Sequence, residues 1–290
     1  IPKASSSDGT SNWLYFNDLG NGNAELFGVP NADNIGNYTV TISASDGVRV
    51  STQEFNLRVE ENQLNPLDYD GDGKADISIR RAEAGYQFIK ESESENIYRL
   101  FFGSQETDIP VNGDFDGDGI ADISIYRPGV GYWFIKRSSD GSIFRLAFGT
   151  QDGDIPVPAD YDGDGTTDIA VRRPSTGQWI IRPSNSADTY VRAYFGGNAD
   201  DVPVQADYDG DGLEDIAIWR PSTQQWIIRY TTDNSIRRIT MGESERDVPV
   251  TGDYDGDGKA DLAYGPFWWA GPDFSKKERY TKGEAFDGTR

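Results

Sequence analysis

The nonapeptide "DYDGDGKAD" at residues 68–76 sets four carboxylates and one lysine around two glycines. Near-copies follow: "DFDGDGIAD" at 114–122, "DYDGDGTTD" at 160–168, "DYDGDGLED" at 207–215 and "DYDGDGKAD" again at 253–261. Successive starts are 46, 46, 47 and 46 residues apart, so the loop punctuates a repeat.

The remainder of the unit repeats with it. Each loop runs into an alternating stretch: "DISIRR", "DISIYRP", "DIAVRRP", "DIAIWRP" or "DLAYGP". In the second of these, Ile123 and Ile125 share one face of a strand while Asp122, Ser124 and Tyr126 take the other. Next comes "GYQFIK", "GYWFIK", "GQWIIR" or "QQWIIR", then "IYRLFFG", "IFRLAFG", "YVRAYFG" or "IRRITMG", and last a short "DIPV" or "DVPV". Gly, Ser, Asn and Asp separate these segments, and no helical period appears. Three clear strands and one short one per unit spell the blade of a β-propeller.

The expected fold is therefore all-β, with a small propeller over residues 63–290. Five blades are expected, the last degenerate; four blades with a free C-terminal tail is the alternative. In the degenerate blade, Trp268 or Trp269 would replace the recurrent Trp133, Trp179 and Trp226, and "GEAFDG" at 283–288 would be a worn "RLAFG". The three recurrent tryptophans each follow a proline by five residues (Pro128, Pro174, Pro221). That regularity reads as packing between blades rather than as a sugar-stacking platform.

Like charges so close repel unless a cation gathers them. Position by position, the loops offer carboxylates at 1, 3, 5 and 9 and a backbone carbonyl at 7. These are Asp68, Asp70, Asp72, Lys74 and Asp76 in the first loop, and Asp114, Asp116, Asp118, Ile120 and Asp122 in the second. The third has Asp160, Asp162, Asp164, Thr166 and Asp168, and the fourth Asp207, Asp209, Asp211, Leu213 and Asp215. The fifth has Asp253, Asp255, Asp257, Lys259 and Asp261. About six oxygens converging on one point suit Ca2+, which takes 6–8 oxygen ligands; Mg2+ keeps its waters and seldom enters an all-protein cage. An EF-hand would need Glu at position 12 and flanking helices. Position 12 is Ile79, Ile125, Val171, Ile218 or Tyr264, a strand residue in each case. About five Ca2+ ions are expected.

Composition narrows the function. The 290 residues carry a net charge of -22, with neither His nor Cys. Disulfides, thiolate metal sites and Ser-His or Cys-His nucleophiles are excluded, and an enzyme is not expected. The acidic balance argues against nucleic acid and anionic lipid. No apolar run is long enough to span a bilayer.

The loops and the Phe-Gly pairs at Phe102-Gly103, Phe148-Gly149 and Phe195-Gly196, weakened to Met241-Gly242, resemble the FG-GAP and VCBS repeat families. The resemblance covers about residues 64–265. The Gly-Ala-Pro of FG-GAP is replaced here by "YRP", "RRP" and "WRP", a form common in bacterial VCBS-type repeats. These families occur in bacterial surface proteins and, as FG-GAP, in integrin α-subunit propellers. The resemblance implies calcium in the loops and a role in adhesion, carbohydrate contact or scaffolding, outside the cell or on a bacterial-like surface.

Residues 1–62 lie outside the repeat. Trp13-Leu14, "GVP" at 28–30, Gly36-Asn37-Tyr38, "YTVTISASDG" and "EFNLRV" resemble the second half of a cadherin-like, dystroglycan-type, Ig-like sandwich, which implies a partial β-sandwich over 1–62. Strands are expected at about 37–45 and 51–59, and the family's opening strands have no counterpart. A half-sandwich leaves a sheet edge open. Either the chain was cut from a longer one or another chain supplies the missing strands. Self-association is expected, head to tail into a filament, with strand donors sought at 267–270 or 276–286; a lectin-like or adhesin propeller binding glycan or protein is the alternative.

Overall fold

The computed structural model describes residues 3–6, 14–20, 23–28, 36–45, 48–59, 66–94, 96–186, 189–244, 247–253, 258–264, 267–274 and 277–279. The chain divides into two compact units, Ile1–Asn62 and Gln63–Arg290.

The first unit holds β1 (Lys3–Ser6), β2 (Leu14–Gly20), β3 (Asn23–Gly28), β4 (Gly36–Ser45) and β5 (Val50–Val59). One antiparallel sheet has the order β1-β4-β5, and β2 pairs with β3 in a second. The alternation in "NYTVTIS" explains β4: Val40 is buried while Asn37 and Thr39 face solvent.

The second unit is a five-bladed β-propeller arrangement of small antiparallel sheets. Its first blade comprises β6 (Ile77–Arg81), β7 (Tyr86–Lys90) and β8 (Ile97–Phe101). The second adds an inner strand: β9 (Ile109–Val111), β10 (Ile123–Arg127), β11 (Tyr132–Lys136) and β12 (Ile143–Ala147). The third is β13 (Ile155–Pro156), β14 (Ile169–Arg173), β15 (Gln178–Arg182) and β16 (Val191–Tyr194). The fourth is β17 (Val202–Pro203), β18 (Ile216–Arg220), β19 (Gln225–Arg229) and β20 (Ile236–Thr240). The fifth is β21 (Val250–Gly252), β22 (Asp261–Tyr264), β23 (Phe267–Trp269) and β24 (Lys277–Arg279). Five blades are present, and the four-bladed alternative falls.

The fifth blade differs from the expected one in detail. Leu262 pairs with Trp269 and Ala263 with Trp268, as Ile123 pairs with Lys136 and Ser124 with Ile135. Trp268 therefore takes the place of Ile135, and the hairpin ends before the position of Trp133 is reached. "GEAFDG" lies outside the described residues. The outer strand is β24, paired to β23. Phe267–Trp269 and Lys277–Arg279, from the two segments considered as strand donors, are thus used inside the chain's own fifth sheet, while 276 and 280–286 lie outside the described residues.

Each blade covers the next. Trp133 packs with Ile169, Val171 and Ile180 of the third blade, Trp179 with Ile216, Ile218 and Ile227 of the fourth, and Trp226 with Ala260 and Leu262 of the fifth. These tryptophans are 0%, 0% and 1% exposed, so none offers a face to a sugar. Two indoles also satisfy their N–H groups: Trp133 Nε1 donates to the Phe148 carbonyl at 3.0 Å and Trp179 Nε1 to that of Phe195 at 3.1 Å. The glycine of the Phe-Gly pair has its reason here. Gly149 has φ +74°, and a Cβ on it would lie 2.5 Å from Val171 of the next blade. Only a residue without a side chain lets the blades close to that distance.

The first blade breaks the pattern. Ile77 and Ile79 are 66% and 63% exposed, whereas their counterparts Ile123, Ile125, Ile169, Val171, Ile216 and Ile218 are at most 9% exposed. Among the described residues, no strand pairs with β6 on the edge opposite β7, where β9 pairs with β10 in the second blade.

Candidate metal centres

Each acidic loop leads into the second strand of a four-stranded blade, or into β6 in the first. The first Asp shapes it. Asp68 accepts N–H bonds from Gly71 and Gly73, both at 2.7 Å. Asp114 does so from Gly117 and Gly119, Asp160 from Gly163 and Gly165, and Asp207 from Gly210 and Gly212. Wrapping the chain around one carboxylate needs positive φ at both glycines, and all eight have it.

The closing Asp staples the loop to its own blade. Asp122 accepts the N–H of Phe115 at 2.9 Å and that of Ser138, beyond β11, at 2.8 Å. Asp76, Asp168 and Asp215 repeat this with Tyr69 and Ser92, Tyr161 and Ser184, and Tyr208 and Thr231. In the fifth blade Asp261 receives Gly271 N–H at 2.9 Å.

Four loops bring carboxylates from positions 1, 3 and 9 together. Oxygens of Asp68, Asp70 and Asp76 lie within 4.8 Å of one another; so do those of Asp114, Asp116 and Asp122, of Asp160, Asp162 and Asp168, and of Asp207, Asp209 and Asp215. The position-5 carboxylates are neighbours of these trios and are held by other bonds. Asp72, Asp118, Asp164 and Asp211 accept hydroxyl bonds from Ser92, Ser138, Ser184 and Thr231 at 2.5–2.9 Å. At position 7, the Ile120 carbonyl also receives the Ser138 hydroxyl, at 3.3 Å. In the fifth loop Asp253 accepts Gly258 N–H at 3.0 Å, while Asp255 and Asp257 lie outside the described residues.

Two observations fit a cation to these sites. Asp116 Oδ1 and Asp209 Oδ1 are buried and have no hydrogen-bond partner, while the other oxygen of each takes Ser139 or Thr232. An unpartnered buried carboxylate oxygen is costly, and a hard cation would satisfy it. Proton affinity gives the second. Burial, reinforced by the neighbouring aspartates, pushes Asp122 up to about 6 and Asp168 and Asp215 up to about 7. Asp114, Asp160 and Asp207 are also raised, chiefly by burial. Beside them, burial and the charges of Asp160 and Asp207 raise Glu214 to about 8. The trios crowd negative charge that a proton or a cation relieves.

The sign of the pH dependence follows. With no cation bound, the closing Asp122, Asp168 and Asp215 of the folded protein hold protons more tightly than in the unfolded chain, where Asp titrates near 3.9. Their relative stabilisation is present below about pH 4 and lost as pH rises through about 6–7. Each tenfold shift in proton affinity is worth about 1.4 kcal/mol. Calcium-stripped protein should therefore melt several degrees higher at pH 5 than at pH 8. With saturating calcium the order should reverse, because acid competes with the ion. Melts in both conditions at the two pH values check this, and a calcium-free protein more stable at pH 8 would contradict it.

Two recurrent polar elements carried no weight in the sequence reading. The Asp of the first three "DIPV" or "DVPV" segments forms a bidentate pair with the Arg before the next repeat proline: Asp108 with Arg127 at 2.6 and 2.9 Å, Asp154 with Arg173, and Asp201 with Arg220. The partners are 19 residues apart each time, and that constant spacing was the available signal. In the fifth unit the position 19 residues after Asp247 is Pro266, so the pair cannot recur. The hairpin Ser or Thr was legible in the same way, always 16 residues after the closing Asp.

A family model described as FG-GAP-like repeat matches residues 207–264, from the fourth loop through β22. No curated protein matches the chain. Among solved structures, the chain is similar to a catalytically inactive virginiamycin B lyase from Staphylococcus aureus, crystallised with quinupristin. Identity is 10%, with 97% of this chain and 88% of that chain covered and a TM-score of 0.48. The four-loop geometry and the match at 207–264 together make this a five-bladed propeller with similarity to FG-GAP-like repeats.

Proposed function

We propose that the protein is a calcium-stabilised propeller module of the extracellular or cell-surface type, acting as a structural or adhesive element rather than as an enzyme. The observation that carries this reading is the set of four carboxylate trios, each closed by a buried Asp, two of which contain an unpartnered buried Asp oxygen. Asp68, Asp70 and Asp76, with their counterparts in the next three loops, would hold the ion; Asp253 and Asp261 would contribute to a fifth site. The ion would supply charge neutralisation. The chain itself does the positioning: the two Gly N–H groups aim the first Asp, and the closing Asp ties the loop to its blade.

Extracellular calcium modules bind with dissociation constants of about 0.1–1 mM, which matches calcium outside cells and not the resting cytosol. The similarity to FG-GAP-like repeats supports a surface setting. Isothermal titration of Chelex-treated protein with CaCl2 tests the reading. Calcium heat that persists in millimolar MgCl2, and shrinks in an Asp116→Asn, Asp209→Asn double variant, supports it. No calcium heat, or an equal response to magnesium, overturns it.

One observation favours self-assembly as a further role, through a different surface from the strand donors first considered. Ile77 and Ile79 repeat the apolar pattern that every other described blade buries under its predecessor, yet they are exposed. End repeats of an array normally carry a polar outer face. A second copy covering this face would extend the contact already made within the chain. Sedimentation velocity across a concentration series tests it: association that Ile79→Lys abolishes supports the role, and a monomer at all concentrations removes it.

A further inference from the structure

We propose that the acidic loops work as one coupled array, each cation site after the first being positioned in part by the loop before it. This rests on the reading that the loops hold calcium, and it adds a property of binding that separate sites would lack.

Consecutive loops are joined twice. The backbone carbonyl of the first Asp accepts the N–H of the eighth residue in the next loop: Ala121 to Asp68 at 2.6 Å, Thr167 to Asp114 at 2.6 Å, Glu214 to Asp160 at 3.0 Å and Ala260 to Asp207 at 2.6 Å. The second joint uses the glycine at position 4. A Cβ there would meet the side chain at position 7 of the next loop: Ile120 at 3.2 Å from that of Gly71, Thr166 at 2.8 Å from Gly117, Leu213 at 2.6 Å from Gly163 and Lys259 at 2.7 Å from Gly210. All four described junctions follow the same rule.

The joints connect ligating groups directly. The first Asp supplies a carboxylate to its own trio and a carbonyl to the next loop. That carbonyl holds the residue adjacent to the next closing Asp, itself a member of the next trio. Position 7, whose backbone carbonyl belongs to the expected ligand set, is seated by its side chain on the preceding glycine. A cation that draws the first Asp into place thereby orders the neighbouring site, and that neighbour's cation costs less ordering entropy. Linkage requires the effect to run both ways. The contacts form a contiguous backbone network, the physical basis such coupling needs.

The test follows the full chain, 15N-labelled at glycine, through a calcium titration by transverse-relaxation-optimised NMR. Gly73, Gly119, Gly165 and Gly212 report one loop each, since their N–H groups bond the first Asp. In Asp160→Asn, whose third loop is disabled, Gly119 and Gly212 should reach midpoint at about 5-fold higher calcium or more, within the usual range of coupled sites, with Gly73 shifted less. Leu213→Ala keeps every carboxylate and loosens one joint only. It should raise the midpoints of Gly165 and Gly212 while Gly73 stays near its parent value. Midpoints unchanged in both variants would refute the coupling while leaving calcium binding intact. Glycine signals that ignore calcium in the parent protein would refute the functional reading itself.

Discussion

Stripping calcium should lower the melting temperature by ten degrees or more. Each site with ligand at 100-fold its dissociation constant adds roughly 2.7 kcal/mol to the folded state. Four described sites would together contribute on the order of 10 kcal/mol, comparable to the whole stability of an ordinary domain. In a domain of 150–250 residues each kcal/mol moves the midpoint by about 2–4 °C. The effect belongs to the folded state: without the ion, the trios keep their mutual repulsion and the unpartnered oxygens of Asp116 and Asp209. Differential scanning calorimetry of protein in CaCl2, in EGTA and in EGTA with matched MgCl2 measures it. Coincident melts in the first two would show that the loops fold on their own hydrogen bonds.

Replacing Trp179 with Ala should destabilise the propeller by about 3–5 kcal/mol, the range for large buried aromatics. Trp179 is fully buried at the junction of the third and fourth blades, against Ile216, Ile218 and Ile227. Its indole N–H is spent on the Phe195 carbonyl, so truncation also leaves that acceptor without its donor. Trp179→Phe should cost less, because it keeps most of the apolar volume. Urea unfolding with calcium present compares the three proteins. A loss under about 1 kcal/mol for the Ala variant would mean that the blades are not held together by this core.

Much of this architecture is written in local spacing. The acidic loop recurs every 46 or 47 residues, and the alternation after it points Ile123 and Ile125 to one face, where the previous blade covers them. A strand's side-chain period and a repeat's length are both local properties, and they led to the blade without any long-range contact. The constant five-residue interval from Pro128, Pro174 and Pro221 to Trp133, Trp179 and Trp226 likewise indicated burial. What stayed hidden depends on pairing across the sheet. The register in β22 and β23 put Trp268 opposite Ala263, and a shortened hairpin cannot be read from two adjacent tryptophans. The bidentate Asp108–Arg127 pair joins segments that only the fold brings together. The loop itself was half legible. Its residue types pointed to oxygen ligation, but the bond from the Ser138 hydroxyl to Asp118 is set by the β11–β12 hairpin, which the pairing of Ile123 with Lys136 brings beside the loop.

The account stands most directly on whether a cation sits among these carboxylates. A crystal grown in CaCl2 and measured at a long wavelength locates calcium by its anomalous scattering. The prediction is one peak in each of the first four loops, with oxygens of the trios Asp68–Asp70–Asp76 through Asp207–Asp209–Asp215 at about 2.3–2.6 Å from it. Loops free of anomalous density, with the same hydrogen bonds closing each turn around water, would contradict it.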